Sequence, residues 1–430
     1  MTAVDDALPA EAPGPVLVAL SGGLDSSVLL HALAARADQR ARGLRAIHVH
    51  HGLHAEADAW AVHCQALCAQ LGIPLEVSHV VVARDSGLGL EGAARAARRA
   101  AFATALRPGE WLALAHHRDD QAETFLLRAL RGSGPDGLAA MHVQRAFGAG
   151  QLWRPLLELP REALADHAHR HGLRWIEDPA NADPHHDRNF VRHHVLPLLR
   201  ERWPHAGAAL ARSAALSGEA SALLATDDQA WLDAHADAGA ARLDLPALRT
   251  QPPARRARLL RAWVARHGAP PLPASGIAAI EHELAAADDG ARFVWAGVQV
   301  RRWRTGLHLL RPPLDWPAAW QAHWDGRAPL ALPDGGELAL LGADQFDAPL
   351  RVTARRGGER LRLPGREQSH ELKHLLQAAA VPPWRRGAMP LLWQDDALLA
   401  AGDQLVGAAL SQWLHARGAR LRWTPPGPAN

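Results

Sequence analysis

A short apolar run, Val16–Leu20, passes directly into Ser21-Gly22-Gly23-Leu24-Asp25-Ser26-Ser27, and a helix-like stretch to Ala37 follows. That order calls for a buried strand, a tight glycine turn and a helix whose N-terminus faces the turn. Two adjacent glycines let the backbone turn sharply and approach a ligand closely. The helix start adds unpaired N–H groups and the positive end of its dipole, which attract an anion. Ser21, Ser26 and Ser27 bring hydroxyl donors. A serine-capped helix start is the plainer reading of the same residues. A Walker loop needs a lysine to reach terminal phosphates, and none lies nearby. The loop therefore suits gripping a pyrophosphate that departs, with Asp25 placed to hold Mg²⁺.

Strand and helix signals then alternate. Arg45–Val49, Leu75–Val82 and Trp111–Ala115 read as strands; Ala57–Leu71, Glu91–Leu106 and Asp119–Arg131 read as helices. Continuous apolar strands between helices predict an α/β fold, a parallel sheet with helices on both faces. Ligands bind such sheets at the carboxyl ends of the strands. At 430 residues the chain exceeds a comfortable single domain. Texture shifts place boundaries near 215 and 320. They give a catalytic domain at 1–215, a mainly helical middle domain at 216–320 and a small α+β domain at 321–430. In the middle, Gln251–Gly268 and Ile277–Ala287 read as helices and Arg292–Leu310 as a hairpin around Arg304–Gly306. Arg311–Trp324 reads as a linker, Leu330–Leu341 and Leu350–Leu363 as short strands, and Glu371–Ala380 as a helix.

Cys64 and Cys68 are the only cysteines, too few for a disulfide framework or a four-thiolate zinc site. Four apart in a helix, they share a face and read as packing residues. No stretch reaches the roughly 18 apolar residues of a membrane helix, and residues 1–15 lack the pattern of a signal peptide. A cytoplasmic protein with no membrane partner is the expectation. No surface in the sequence assigns an oligomeric state.

The chemistry-bearing segments fall after the expected strands. His48-Val49-His50-His51-Gly52-Leu53 follows the second, and Gly87-Leu88-Gly89-Leu90-Glu91 leads into a helix carrying Arg95 and Arg98. His116-His117-Arg118-Asp119-Asp120-Gln121-Ala122-Glu123 follows the fourth, and Asp187-Arg188-Asn189-Phe190-Val191-Arg192 lies further on. Asp120 and Glu123, three apart, share a helix face, as do Arg188 and Arg192, four apart, which can meet one anion. Histidine and carboxylate at these spacings also describe a zinc site. His50 serves equally as a scaffold histidine, and Arg95 and Arg98 as solvated helix arginines.

Ser-Gly-Gly-x-Asp-Ser after a first strand resembles the PP-loop ATP pyrophosphatase superfamily. With Trp175-Ile176-Glu177-Asp178 and the segments above, in order and at matching spacing, the first half closely resembles the tRNA(Ile)-lysidine synthetase family. That resemblance implies use of ATP and Mg²⁺ to activate, by adenylation, carbon 2 of the wobble cytidine in an isoleucine tRNA with a CAU anticodon. Free L-lysine then displaces AMP, giving lysidine. It implies a nucleotide site at Ser21, Gly22, Gly23, Leu24, Asp25, Ser26, Ser27, His50 and His116. Arg95, Arg98, Arg188, Asn189 and Arg192 would hold substrate. Asp25, Asp120 and Glu123 would be catalytic, with Asp25 or Asp120 holding the metal. The family often carries an aromatic where this chain has Arg99. A PP-loop tRNA thiolase is the alternative, although thiolation normally needs reactive or cluster-binding cysteines.

The formal charge is only +2, from 47 basic and 45 acidic residues, which excludes a uniformly basic binder. Lys373 is the one lysine. Distribution matters more than the sum. Arg351–Arg386 holds nine basic residues against three glutamates, a local +6. This stretch more loosely resembles the C-terminal domain of longer lysidine synthetases, where phosphate contacts would supply affinity without sequence reading.

Overall fold

The computed structural model describes residues 2–9, 14–83, 87, 89–237, 239, 241–284, 291–311, 316–317 and 319–424. Leu88, the end of the expected helix at 285–287 and part of the expected linker (312–315 and 318) lie outside them. The chain forms two compact units, Met1–Ala225 and Thr226–Asn430.

In the first unit the strands are β1 (Val16–Ala19), β2 (Leu44–His50), β3 (Leu75–His79), β4 (Trp111–Ala113), β5 (Gln144–Phe147) and β6 (Gly150–Trp153). The helices are α1 (Ala3–Ala7), α2 (Leu24–Ala34), α3 (Ala37–Arg42), α4 (Ala57–Leu71), α5 (Gly89–Ala105), α6 (Arg118–Leu130), α7 (Pro135–Leu138) and α8 (Arg161–Arg170). The sheet order is β3-β2-β1-β4-β6-β5. All neighbours are parallel except β5, which returns antiparallel along β6. The expected parallel sheet is present, extended by that hairpin.

Alternation along β1 divides the core. Val16 and Val18 pack with Val28, Leu29 and Leu33 of α2 and Leu164 of α8. Leu17 points to the other face, with Ile47, Leu112 and Leu152, where Phe102 of α5 joins it. Burying each such leucine contributes about 1.5–3 kcal/mol, so the strand is fixed between two covered faces. The chain winds outward from β1 through β2 to β3, then returns to β4 on the other side. The crevice between the carboxyl ends of β1 and β4 is the switch point where such sheets bind ligands.

In the second unit, helix Pro253–Arg266 buries Leu259, Leu260, Trp263 and Val264 against Val300 and Leu307 of a five-stranded antiparallel sheet. That sheet contains the expected hairpin, Val298–Trp303 paired with Gly306–Leu310. Further on, a five-stranded and a three-stranded antiparallel sheet enclose Trp324, Leu338, Val352, Leu391 and Trp423. The helix Leu372–Ala378 packs there and leaves Lys373 exposed. Among the described residues, no helix is long and apolar enough to cross a membrane.

Candidate nucleotide and substrate site

The loop after β1 is held by its own side chains. Gly22 has φ +86°, and a Cβ there would lie 2.5 Å from Ile176 Cδ1 and 3.1 Å from Cys64 Sγ. Glycine is thus required for both conformation and space. Ser26 Oγ donates to Gly23 O at 3.1 Å and accepts from Ser21 N at 3.2 Å. Ser27 Oγ donates to Gly22 O at 3.4 Å, and Ser21 Oγ accepts from Gly23 N at 3.3 Å. Ile176 N donates to Gly22 O at 2.9 Å, fastening the loop from outside. Leu24 is buried at the first turn of α2, where the opening N–H groups have no acceptor within the helix.

Asp25 leans from that turn toward the β4 side. Its Oδ2 lies 3.7 Å from His117 Nε2, while its Oδ1 is buried without a hydrogen-bond partner. Burial raises the Asp25 carboxyl above the usual range and Asp120 adds to this, while His117 opposes it. A buried, unpartnered carboxylate oxygen is what a cation would satisfy.

Beyond β4, His117 and Asp120 cap α6: His117 N donates to Asp120 Oδ2 at 3.0 Å. His117 is 2% exposed, and its Nε2 lies 3.5 Å from the same oxygen. Asp120 and Glu123 then meet the two arginines. Arg188 donates from Nε to Glu123 Oε2 at 2.7 Å and from Nη2 to Asp120 Oδ1 at 2.9 Å. Arg192 donates from Nε to Glu123 Oε1 at 2.6 Å and from Nη2 to Asp120 Oδ1 at 3.1 Å. Burial alone would raise Asp120, but His117 and Arg188 override it and hold the carboxyl below its ordinary value. The single anion expected for Arg188 and Arg192 is thus a pair of carboxylates from the chain itself. Of the four carboxylate oxygens, only Asp120 Oδ2 is not held by an arginine.

His116 turns away from His117. Its Nδ1 accepts from Arg154 Nε at 3.2 Å, which leaves the ring proton on Nε2. Burial, with Arg154 nearby, pushes this imidazole down to about 3, although Asp120 pulls the other way. It is therefore neutral at physiological pH. Among the described residues, no group of three or more histidine, cysteine, aspartate or glutamate side chains could hold a metal ion. The zinc alternative for this run loses its support.

Other expected site residues stand apart. His50 bonds through Nε2 to Asp58 Oδ1 at 3.0 Å, and its ring packs on His79, 4.6 Å between centroids. These contacts tie the end of β2 to α4 and β3. Asn189 is turned inward: Nδ2 donates to the carbonyls of Ala180 and Asp183 at 2.9 and 2.8 Å. Both donors of its amide are thus spent on the backbone of its own loop. Arg95 faces a cavity beside Arg188; Arg98 is exposed and, after burial, is the main influence lowering His51. Cys64 and Cys68 are buried, their thiols pushed up by burial to about 12 and 11. Neither is a reactive thiol.

Sequence reasoning passed over two residues as site members. His117 adjoins a residue that it did choose. Arg154 directly follows β6, and the position just past a parallel strand was the available signal.

Residues 3–199 match the family described as a PP-loop domain. Residues 243–308 match the TilS substrate binding domain and residues 350–423 the TilS substrate C-terminal domain. A tRNA(Ile)-lysidine synthase of Xanthomonas campestris pv. campestris (strain 8004) is 61% identical over 427 residues, 98% of each chain. The chain belongs to the tRNA(Ile)-lysidine synthase family. The family's enzyme in Xylella fastidiosa (strain 9a5c) is 58% identical over 419 residues, 96% of this chain and 95% of that one. The one in Pseudomonas syringae pv. tomato is 45% identical, over 95% and 92%. The family drawn from the loop and strand-end motifs is the one found. A U34-tRNA thiolase from Methanococcus maripaludis aligns at 18% identity over 49% of this chain and 74% of that one, with a TM-score of 0.39. That likeness is too slight to favour sulfur chemistry.

Proposed function

We propose that this protein is the ATP-dependent ligase that joins L-lysine to carbon 2 of the wobble cytidine in the CAU-anticodon isoleucine tRNA. Cytidine is first adenylated with release of pyrophosphate, and lysine then displaces AMP. The observation that carries the reading is the convergence at the β1–β4 crevice. The phosphate loop and Asp25, whose Oδ1 has no partner, face a carboxylate–arginine network across His117.

Each residue there has a task. The first-turn N–H groups of α2 hold the phosphates. Asp25, with the phosphates, fits Mg²⁺, which takes one or two carboxylates and keeps several other oxygen ligands; the ion would neutralise charge on the departing pyrophosphate. Asp120, kept anionic, presents Oδ2 to the incoming lysine ammonium. Its neighbour His117 Nε2 completes the path by which the amine's proton leaves. Glu123, fully buried with both oxygens bonded, positions Arg188 and Arg192. Residues 216–320 and 321–430 hold the rest of the tRNA, and the cytoplasm is where such a substrate is met.

The test is direct. The protein, ATP, Mg²⁺, radiolabelled lysine and unmodified isoleucine tRNA with a CAU anticodon are incubated together. Label should enter the tRNA with stoichiometric AMP. Absence of transfer with the intact tRNA would overturn the reading.

A further inference from the structure

Beside the carboxylate–arginine network lies a cavity of about 680 Å³ whose wall includes Arg95, Arg99, Arg128, Arg145, Arg154 and Arg188. Arginine richness alone is weak evidence in this chain, because arginine supplies all but one of its basic residues. Clustering matters more. Several arginines elsewhere meet carboxylates, Arg45 with Glu110, Arg200 with Asp119 and Arg258 with Asp228. Others, such as Arg40 and Arg386, bond backbone carbonyls singly; the cavity gathers several unneutralised ones on one wall. In the cavity, Arg99, Arg128, Arg145 and Arg154 form no ion pair with any described carboxylate. The two acids on the wall are already engaged, Glu91 with His186 and Asp187 with Arg131.

Neutral groups hold several of these arginines in place. Arg128 Nη1 donates to Gly137 O at 2.8 Å and Ala140 O at 2.9 Å. Arg154 Nη1 donates to His142 O at 2.7 Å while its Nε meets His116. Arg99 lies over the Phe147 ring, 5.1 Å from its centroid. Arg154 is only 7% exposed, and burial with the nearby charges of Arg145, Arg95 and Arg128 brings it down to about 10. Orientation without neutralisation describes a site awaiting anions. The volume lies within the ~300–1,000 Å³ typical of small-ligand pockets, so it admits a nucleotide or two and not a duplex stem.

We propose that this cavity binds phosphodiester groups of unpaired RNA flanking the reacting cytidine, with Arg99, Arg128, Arg145 and Arg154 gripping the phosphates. The inference rests on the function proposed above and assigns it an RNA-facing wall. Arg188 borders both the cavity and Glu123, so a backbone seated here delivers its base beside Asp120. The phosphates of free ATP carry the same chemistry, and the experiment separates the two sources.

The full-length protein is titrated with a fluorescent CAU anticodon stem-loop, and separately with ATP and Mg²⁺, over a series of salt concentrations. Arg145→Ala and the Arg99→Ala/Arg145→Ala pair replace exposed side chains; Arg145→Lys tests charge alone. The double variant should bind the stem-loop about tenfold more weakly, with a log–log salt slope shallower by about 0.7 for each phosphate no longer neutralised. Its ATP affinity should stay unchanged, and Arg145→Lys should recover most of the RNA affinity. Unchanged stem-loop affinity and slope would falsify the assignment, as would a loss confined to ATP. If the wild type still transfers lysine in either case, only the cavity is misassigned. A wild type that transfers none defeats the functional reading instead.

Discussion

Asp25 is the residue on which chemistry and structure agree most closely. Its neighbours are a buried histidine and a second carboxylate, and one of its oxygens has no protein partner. Asp25→Ala should therefore lower ATP-dependent AMP release by about 10²–10³, the usual cost of removing one preorganised electrostatic group. Stem-loop affinity should persist; equal loss of both in a folded variant would make the residue structural. The loop around Asp25 was legible in the sequence because strand, glycines and hydroxyls are consecutive. The Asp120–Glu123–Arg188–Arg192 network was legible only in halves. Each i, i+3 or i, i+4 pair showed a shared face, but the partners are separated by 65 to 72 residues. No local spacing could show that the arginines would meet those carboxylates. Asn189 and His50 show a related limit: spacing gave no sign that Asn189 Nδ2 would be taken up by the carbonyls of Ala180 and Asp183, or His50 Nε2 by Asp58.

Among elements, the packing of α1, α2 and α8 carries an acid-sensitive core. His167 of α8 is buried; its Nε2 lies 3.0 Å from His31 Nδ1 on α2 and its Nδ1 2.8 Å from Thr2 Oγ1 at the start of α1. His171, Asp5 and Arg170 complete the charged surroundings. Burial, then His171 and His31, bring His167 down from 6.5 to about 4. Between those values the unfolded chain binds more protons than the folded one, so stability decreases as the solution is acidified. Thermal midpoints should decline as pH drops from about 6.5 to about 4, and this contribution should level off below. His167→Gln should flatten that part of the profile; a variant profile parallel to wild type would rule the cluster out as its source. Strands β1 to β4 were readable from apolar runs. The β5–β6 hairpin was not, because Gln144–Trp153 holds two glycines and little alternation, and its pairing depends on the neighbouring β4.

For the whole molecule, a net charge of +2 hides two separate basic regions, the cavity of the first unit and Arg351–Arg386 of the second. Arg362, Arg366 and Lys373 are exposed within the latter. Replacing all three by glutamine should weaken full-length tRNA binding and make its salt slope shallower by up to about 0.9 for each helical phosphate that these side chains neutralise. Affinity for the isolated anticodon stem-loop should be unchanged; a matching loss there would show that the two regions share one part of the RNA. The compositional skew has a practical side. Lys373 is the chain's single side-chain amine, and it stands in solvent. An amine-directed fluorophore would therefore mark one internal position on the second unit, giving a built-in optical reporter of tRNA arrival far in sequence from the phosphate loop.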